Sequence, residues 1–241
     1  MMELNETLDD LQNGFYIYQK TDGFKFGIDA VLLSDFAKNA TGNIIDLCTG
    51  TGIIPLLLAA KTDAKRIDAI EIQPQIADMA KRSVEYNKLE DRIFIRCADL
   101  NSACDIYGNA FFDAVTVNPP YMKCGSGLVN EINSKTISRH EVKCTLDDVI
   151  RISSKLLKPF GKFYMVHRPS RLVDIFSIMR QYKLEPKIMR LISPCHGKEA
   201  NLVLIYGIKN AKSELKTLPP LYVYTQSGEY SKEIDEIYGR R

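Results

Sequence analysis

Short apolar runs alternate with amphipathic stretches along most of this chain, and the alternation predicts strands and helices in turn. Asn43–Cys48, Arg66–Glu71, Arg92–Cys97 and Phe111–Val117 are rich in β-branched and aromatic residues and bounded by turn formers, as buried strands are. Between them the spacing predicts a helix over 53–61, directly after Thr49-Gly50-Thr51-Gly52 and with Pro55 tolerated in its first turn, and another over 74–87. In the second half, Thr145 and Asp148 form a capping-box pattern that opens a helix through Leu157, stopped by Pro159 and Gly161. Lys162–His167 then reads as a strand, Ser170–Gln181 as a helix, and Lys187–Ile192 and Asn201–Gly207 as two consecutive strands. Upstream, Tyr16–Lys20 is strand-like, and Ile28, Val31, Leu32, Asp35 and Phe36 have helical spacing. The alternation implies an α/β fold. It is a Rossmann-like, doubly wound, seven-stranded sheet, largely parallel, covered on both faces and closed by a terminal antiparallel hairpin.

Length and composition narrow this picture. At 241 residues the chain suffices for one sizeable core. A single domain is therefore expected, with a lead-in (1–40), a core (41–210) and a C-terminal extension (211–241). The longest apolar stretch, Ile53–Ala60, is too short to span a bilayer. Glu3, Glu6, Asp9 and Asp10 precede any basic residue, the reverse of a secretory leader, so a cytoplasmic chain without membrane contact is expected. The six cysteines (48, 97, 104, 124, 144 and 195) include no Cys-x-x-Cys pair, which favours reduced thiols and no metal. Net charge is only +2, yet residues 151–212 hold thirteen Lys/Arg against three Asp/Glu, leaving −8 for the remainder. Such asymmetry points to a polyanionic partner on one side of the fold.

The candidate chemistry lies at the strand ends, where doubly wound sheets bind ligands. Gly50 and Gly52 let the backbone turn tightly and approach a ligand without a Cβ in the way. Asp46, just before them, suits a cationic or amino-bearing group, and Glu71 at the end of the second core strand can accept both hydroxyls of a ribose. Asp99 can accept from an adenine amino group, with Ile72 and Leu100 as apolar neighbours for the ring. A dinucleotide fingerprint needs a third glycine where this chain has Pro55, and has no use for Asp46 beside a pyrophosphate. A ligand with a ribose, an amino group and a sulfonium fits better; S-adenosylmethionine is that molecule. At the end of the fourth core strand stands Asn118-Pro119-Pro120-Tyr121. The prolines stiffen the turn, so the Asn118 side-chain oxygen and the Pro119 carbonyl can aim at one point, and Tyr121 offers a flat face. Two convergent acceptors suit a planar NH2 group. Asp29, near the start of the first helix, is a further candidate for the cofactor's amino group.

Asp46-Leu-Cys-Thr-Gly-Thr-Gly52, Glu71, Asp99 and Asn118-Pro-Pro-Tyr121 resemble the motifs of class I S-adenosylmethionine-dependent methyltransferases acting on planar amino groups. Tyr18–Leu33, Ser138–Glu141 and His196–Val203 make the chain more narrowly similar to the bacterial tRNA (adenine-N6)-methyltransferases that modify the purine beside the anticodon of valine tRNA. The resemblance implies a methyltransferase sheet, S-adenosylmethionine as cofactor and tRNA as partner. It also implies Asn118, Pro119 and Tyr121 as the catalytic group. Lys20, Lys25, Arg139, His140 and Lys198 are candidates for RNA contacts. Two other readings are a protein glutamine N-methyltransferase, for which the lead-in is short, and a non-catalytic RNA-binding subunit.

Overall fold

The structure, a computed structural model, describes residues 5–21, 26–120 and 144–240. Its first elements, β1 (Glu6–Asp10) and β2 (Tyr16–Lys20), pair antiparallel as a hairpin apart from the main sheet. β1 is not foreseen by the pattern, because Glu-Thr-Leu-Asp-Asp has one apolar residue and poor strand propensity. The hairpin is held by α3 (Pro74–Tyr86). Tyr18 N–H donates to Ser83 Oγ (3.0 Å), Tyr16 N–H to Asn87 Oδ1 (2.8 Å) and Asn87 Nδ2 to the Tyr16 carbonyl (2.7 Å). Side chains thus satisfy the edge of β2 in place of another strand. Arg82 donates to both carboxylate oxygens of Glu6 at 2.7 and 2.6 Å, a bidentate pair whose side chains are 15% and 2% exposed.

The main sheet contains β3 (Asn43–Leu47), β4 (Arg66–Glu71), β5 (Ile93–Cys97), β6 (Phe112–Val117), β7 (Leu157–His167), β8 (Leu184–Ser193) and β9 (Leu202–Lys209). Two short strands, β10 (Lys216–Thr217) and β11 (Leu221–Tyr222), join β8 from the C-terminal segment. The order is β10-β8-β9-β7-β6-β3-β4-β5, with β11 also on β8. β3 to β7 run parallel to one another, and β9 enters antiparallel between β7 and β8. The doubly wound seven-stranded sheet and its closing hairpin are therefore present, extended by two short strands.

Helices α1 (Ile28–Phe36), α2 (Ile53–Lys61), α3, α4 (Ala103–Tyr107), α5 (Leu146–Leu156), α6 (Leu172–Gln181) and α7 (Lys232–Tyr238) accompany the strands. Strand side chains alternate between two cores, which is why both faces of the runs carry apolar residues. Ile44, Ile67 and Ala114 join Leu32, Leu33, Leu56 and Leu58 of α1 and α2. Ile45, Leu47, Ile70, Val115 and Val117 face Val149, Ile150 and Leu156 of α5, with Ile175 and Met179 of α6. The capping box at Thr145 and Asp148 is present. The helix behind it ends one residue early: Leu157 is extended and starts β7, which runs on through Pro159 and Gly161. The pairing register shifts there, and Phe160 has φ +61°, so the two breakers shape an irregular strand entry rather than ending an element.

The C-terminal segment is pinned to the sheet by β10 and β11 and to α1 by α7, whose Ile234 is buried in the first core. Tyr224, Tyr230 and Tyr238 stack in series, at 5.2 and 6.1 Å between ring centroids, with the Arg240 guanidinium 4.5 Å from the Tyr238 ring. No helix among the described residues is long and apolar enough to cross a membrane. Cys48, Cys97, Cys104, Cys144 and Cys195 are free thiols, and no cluster of three or more metal-binding side chains occurs among the described residues.

Candidate active site

The chain lays down β3, β4 and β5 toward one edge of the sheet and resumes at β6 on the other side of β3, so a crevice opens between the carboxyl ends of β3 and β6. Leu47 pairs with Val117. Their successors Cys48 and Asn118 therefore leave the sheet side by side.

After β3 the backbone passes through positive φ at Cys48 (+58°), Gly50 (+58°) and Gly52 (+85°), then enters α2. A Cβ on Gly52 would lie 3.1 Å from that of Ala80, whereas one on Gly50 would meet nothing within 4 Å. Gly50 is thus where backbone can approach a ligand closely, and Gly52 is where the turn packs against α3. Glu71 ties this turn to β4: its Oε2 accepts the Gly50 N–H at 3.0 Å and its Oε1 the Gln73 N–H at 3.0 Å. Gln73 Nε2 also donates to Oε1 at 3.3 Å, so three of the carboxylate's roughly four acceptor positions are filled and the remaining one, on Oε2, is open to a ribose hydroxyl. Next to it Ile72 is 50% exposed, an unusual position for an isoleucine at a strand end. Leu100 is buried in the second core, so Ile72 is the one of the two apolar neighbours that presents surface. Asp99 follows β5 and caps a short helical turn, its Oδ1 accepting the Asn101 N–H at 2.8 Å.

Asp46 lies deeper than the sequence implies. It is fully buried under the turn, and Thr116 Oγ1 of the neighbouring strand donates to its Oδ1 at 2.6 Å. Burial pushes its pKa up to about 7, against the pull of the Thr116 bond. The Thr49 hydroxyl also opposes the rise, yet among the described residues neither Thr49 Oγ1 nor Asp46 Oδ2 has a partner with hydrogen-bond geometry. A buried carboxyl oxygen without a donor, beneath a glycine turn, fits a site completed by a cationic group.

Asn118 is half-buried, Pro119 buried and Pro120 exposed. The Asn118 side-chain Nδ2 donates to Asp29 Oδ2 at 3.2 Å, joining the end of β6 to the start of α1 across 89 residues. Sequence reasoning places Asp29 against the cofactor; the structure places it against Asn118. His167, to which the sequence assigns no role, also reaches this rim. It ends β7 two positions beyond Met165, the partner of Val117, so it stands at the same rim as Asn118. Its Nδ1 accepts the Arg168 N–H at 2.8 Å, and burial pushes its pKa down to about 4, keeping the ring neutral at pH 7.

Of the RNA candidates, Lys20 reaches α3, where its Nζ donates to Gln75 Oε1 at 3.2 Å. Lys198 is exposed in the β8–β9 loop, at the carboxyl-end rim. Lys25, Tyr121, Arg139 and His140 lie outside the described residues. The basic segment is less available than its sum suggests, since Arg151, Lys158, Arg171, Arg180, Lys187 and Arg190 each pair with a carboxylate.

The family described as methyltransferase small domain matches residues 22–182. This chain belongs to it. The methyltransferase is 30% identical over 229 residues to the tRNA1(Val) (adenine(37)-N6)-methyltransferase of Porphyromonas gingivalis, covering 91% of this chain and 89% of that one. That similarity bears out the resemblance carried by the sequence motifs. Among solved structures, an Agrobacterium tumefaciens protein described as a predicted O-methyltransferase superposes with a TM-score of 0.69 at 23% identity, over 88% of this chain and 96% of its own. A geranyl diphosphate C-methyltransferase of Streptomyces coelicolor, solved with S-adenosyl-L-homocysteine, gives 0.55 at 14%, over 76% and 77%. At such identities the two share the fold.

Proposed function

We propose that this methyltransferase uses S-adenosylmethionine to methylate the exocyclic N6 amino group of an adenine beside the anticodon of a tRNA. The observation that carries the reading is Asn118: an amide fixed at the end of β6, next to the glycine turn, and followed by two prolines. The Porphyromonas relative's name supports the tRNA adenine as substrate. Such a substrate implies work in the cytoplasm.

The residues present fit the cofactor. Gly50 admits close approach, the open acceptor position of Glu71 would take a ribose hydroxyl, Asp99 would accept from the adenine amino group beside Ile72, and Oδ2 of Asp46 would answer the positive charge of the amino end. Bound there, S-adenosylmethionine supplies an electrophilic methyl group.

This chain's own part is electrostatic. An adenine amino group is a poor nucleophile because its lone pair is delocalised into the ring. Asn118 Oδ1 and the Pro119 carbonyl would accept its two N–H bonds, favour a pyramidal nitrogen and stabilise the positive charge that develops on it. Tyr121, outside the described residues, would stack on the base once it leaves its own stack. No strong base is needed, since the alkylated nitrogen becomes acidic and releases its proton afterwards.

The test is incubation with methyl-labelled cofactor and bulk tRNA, followed by mass spectrometry of the digested nucleosides. N6-methyladenosine in the tRNA is expected. Label on protein glutamine, or on no substrate, would replace this reading by one of the two rivals.

A further inference from the structure

Asn118 can act on an amine only one way round. With Oδ1 toward the substrate, an acceptor meets the amine's N–H groups. Rotated by half a turn, the side chain presents N–H donors to N–H donors, and the site is dead. The prolines hold the backbone but cannot choose between these rotamers.

The choice is made across the crevice. Asp29 Oδ2 lies 3.2 Å from Asn118 Nδ2, and an ionised carboxylate only accepts, so the nitrogen end of the amide is the one that must face it. Asp29 is itself held. Its Oδ1 accepts the Ala30 N–H at 3.0 Å and lies 2.6 Å from where a Cβ on Gly27 would be, so the carboxylate occupies space that only glycine leaves. The helix that carries it is anchored through the buried Ala30, Val31, Leu32 and Leu33. We propose that Asp29 is a positioning residue whose function is to fix the orientation of the Asn118 amide so that its oxygen faces the substrate nitrogen, with Gly27 as the residue that makes room for it. The inference rests on the reading of Asn118 as the acceptor of the substrate amine.

The test is Asp29→Asn, which keeps size and removes the acceptor-only character, so that the Asn118 amide can pair with it either way round. The expected result is a kcat about tenfold to a hundredfold lower, a partial loss next to that of deleting such a group. KM for tRNA and calorimetric Kd for S-adenosylmethionine should stay within about threefold, and the same substitution in an Asn118→Ala background should cost nothing more. Exchanging the partners (Asp29→Asn with Asn118→Asp) should recover activity relative to Asn118→Asp alone, because an acceptor again faces the substrate and a donor again faces an acceptor. Gly27→Ala, which crowds the carboxylate while leaving both partners intact, should lower kcat in the same manner and covers the case in which Asp29→Asn fails to fold. A cofactor Kd weakened tenfold or more by Asp29→Asn, an equal loss in the Asn118→Ala background, or an unchanged kcat would overturn the proposal. Nuclear magnetic resonance of the labelled Asn118 side-chain amide keeps the two readings separate. If the wild-type enzyme methylates no adenine, the substrate reading fails. A single amide signal that Asp29→Asn shifts and broadens would still support the positioning role, and an unmoved signal would end it.

Discussion

Replacing Asn118 by alanine removes the proposed acceptor while leaving β6, the Gly50 turn and Glu71 in place. The rate constant for methyl transfer is expected to fall at least a hundredfold, about 3 kcal/mol, as when one preorganised hydrogen-bonding group is deleted from an active site. Calorimetry should find S-adenosylmethionine affinity nearly unchanged, and a large loss of that affinity would contradict the division of labour between residues 118 and 71. Asp46 sets a different pattern. Its carboxyl titrates near 3.8 ordinarily and at about 7 in the fold, so the folded chain keeps a proton that the unfolded chain gives up. Stability should therefore fall as pH rises from about 4 to about 7 and level off above, and Asp46→Asn should flatten that decline in thermal melts. Because a cationic ligand favours the ionised form, S-adenosylmethionine affinity should rise with pH through about 7 in the wild type and lose that dependence in Asp46→Asn.

At the scale of elements, the chain's legibility follows burial. β3, β4 and β6 are covered on both faces, so each puts apolar residues on both sides (Ile44 and Ile45, Ile67 and Ile70, Ala114 and Val115) and stands out despite the buried polar Asp46, Asp68 and Thr116. β1 does not, because it is acidic and depends on contacts with α3 and Arg82 that no local pattern announces. The irregular entry to β7 defeats the pattern in the opposite way: Pro159 and Gly161 read as an interruption and are part of the strand. The Gly50, Glu71 and Asn118 positions are legible because each follows a recognisable strand, whereas the Asp29–Asn118 contact joins residues too far apart to be inferred. Arg82→Leu tests how much the hairpin needs its clasp. With the Glu6 carboxylate buried, the change should destabilise the fold by about 3 kcal/mol in denaturant titration, well above the usual surface substitution.

On the scale of the whole molecule, topology gathers charge as well as chemistry. The carboxyl ends of β6 and β7 and the β8–β9 loop share one rim, bringing the exposed Arg168 and Lys198 to the side where Asn118 emerges. Many other basic residues of that half are neutralised in place by carboxylates, including Glu214 and Glu233 of the C-terminal segment. tRNA affinity should therefore fall with salt, and Lys198→Ala should weaken binding and lower the slope of log K against log salt by about one unit or less, without altering kcat at saturation. An unchanged slope would remove Lys198 from the phosphate contacts.

The three tyrosines beneath Arg240 also give the protein an optical signature. The chain has no tryptophan, so its near-ultraviolet absorption belongs mainly to its twelve tyrosines. Ordered neighbours such as Tyr224, Tyr230 and Tyr238 generate circular dichroism in that region only while they are held in a fixed array. Tyr16, Tyr18, Tyr86, Tyr164 and Tyr206 are also held in ring contacts. Detachment of the tail would thus be visible in an unlabelled sample as a partial loss of that near-ultraviolet band, at a temperature where the peptide-bond signal of the sheet still stands.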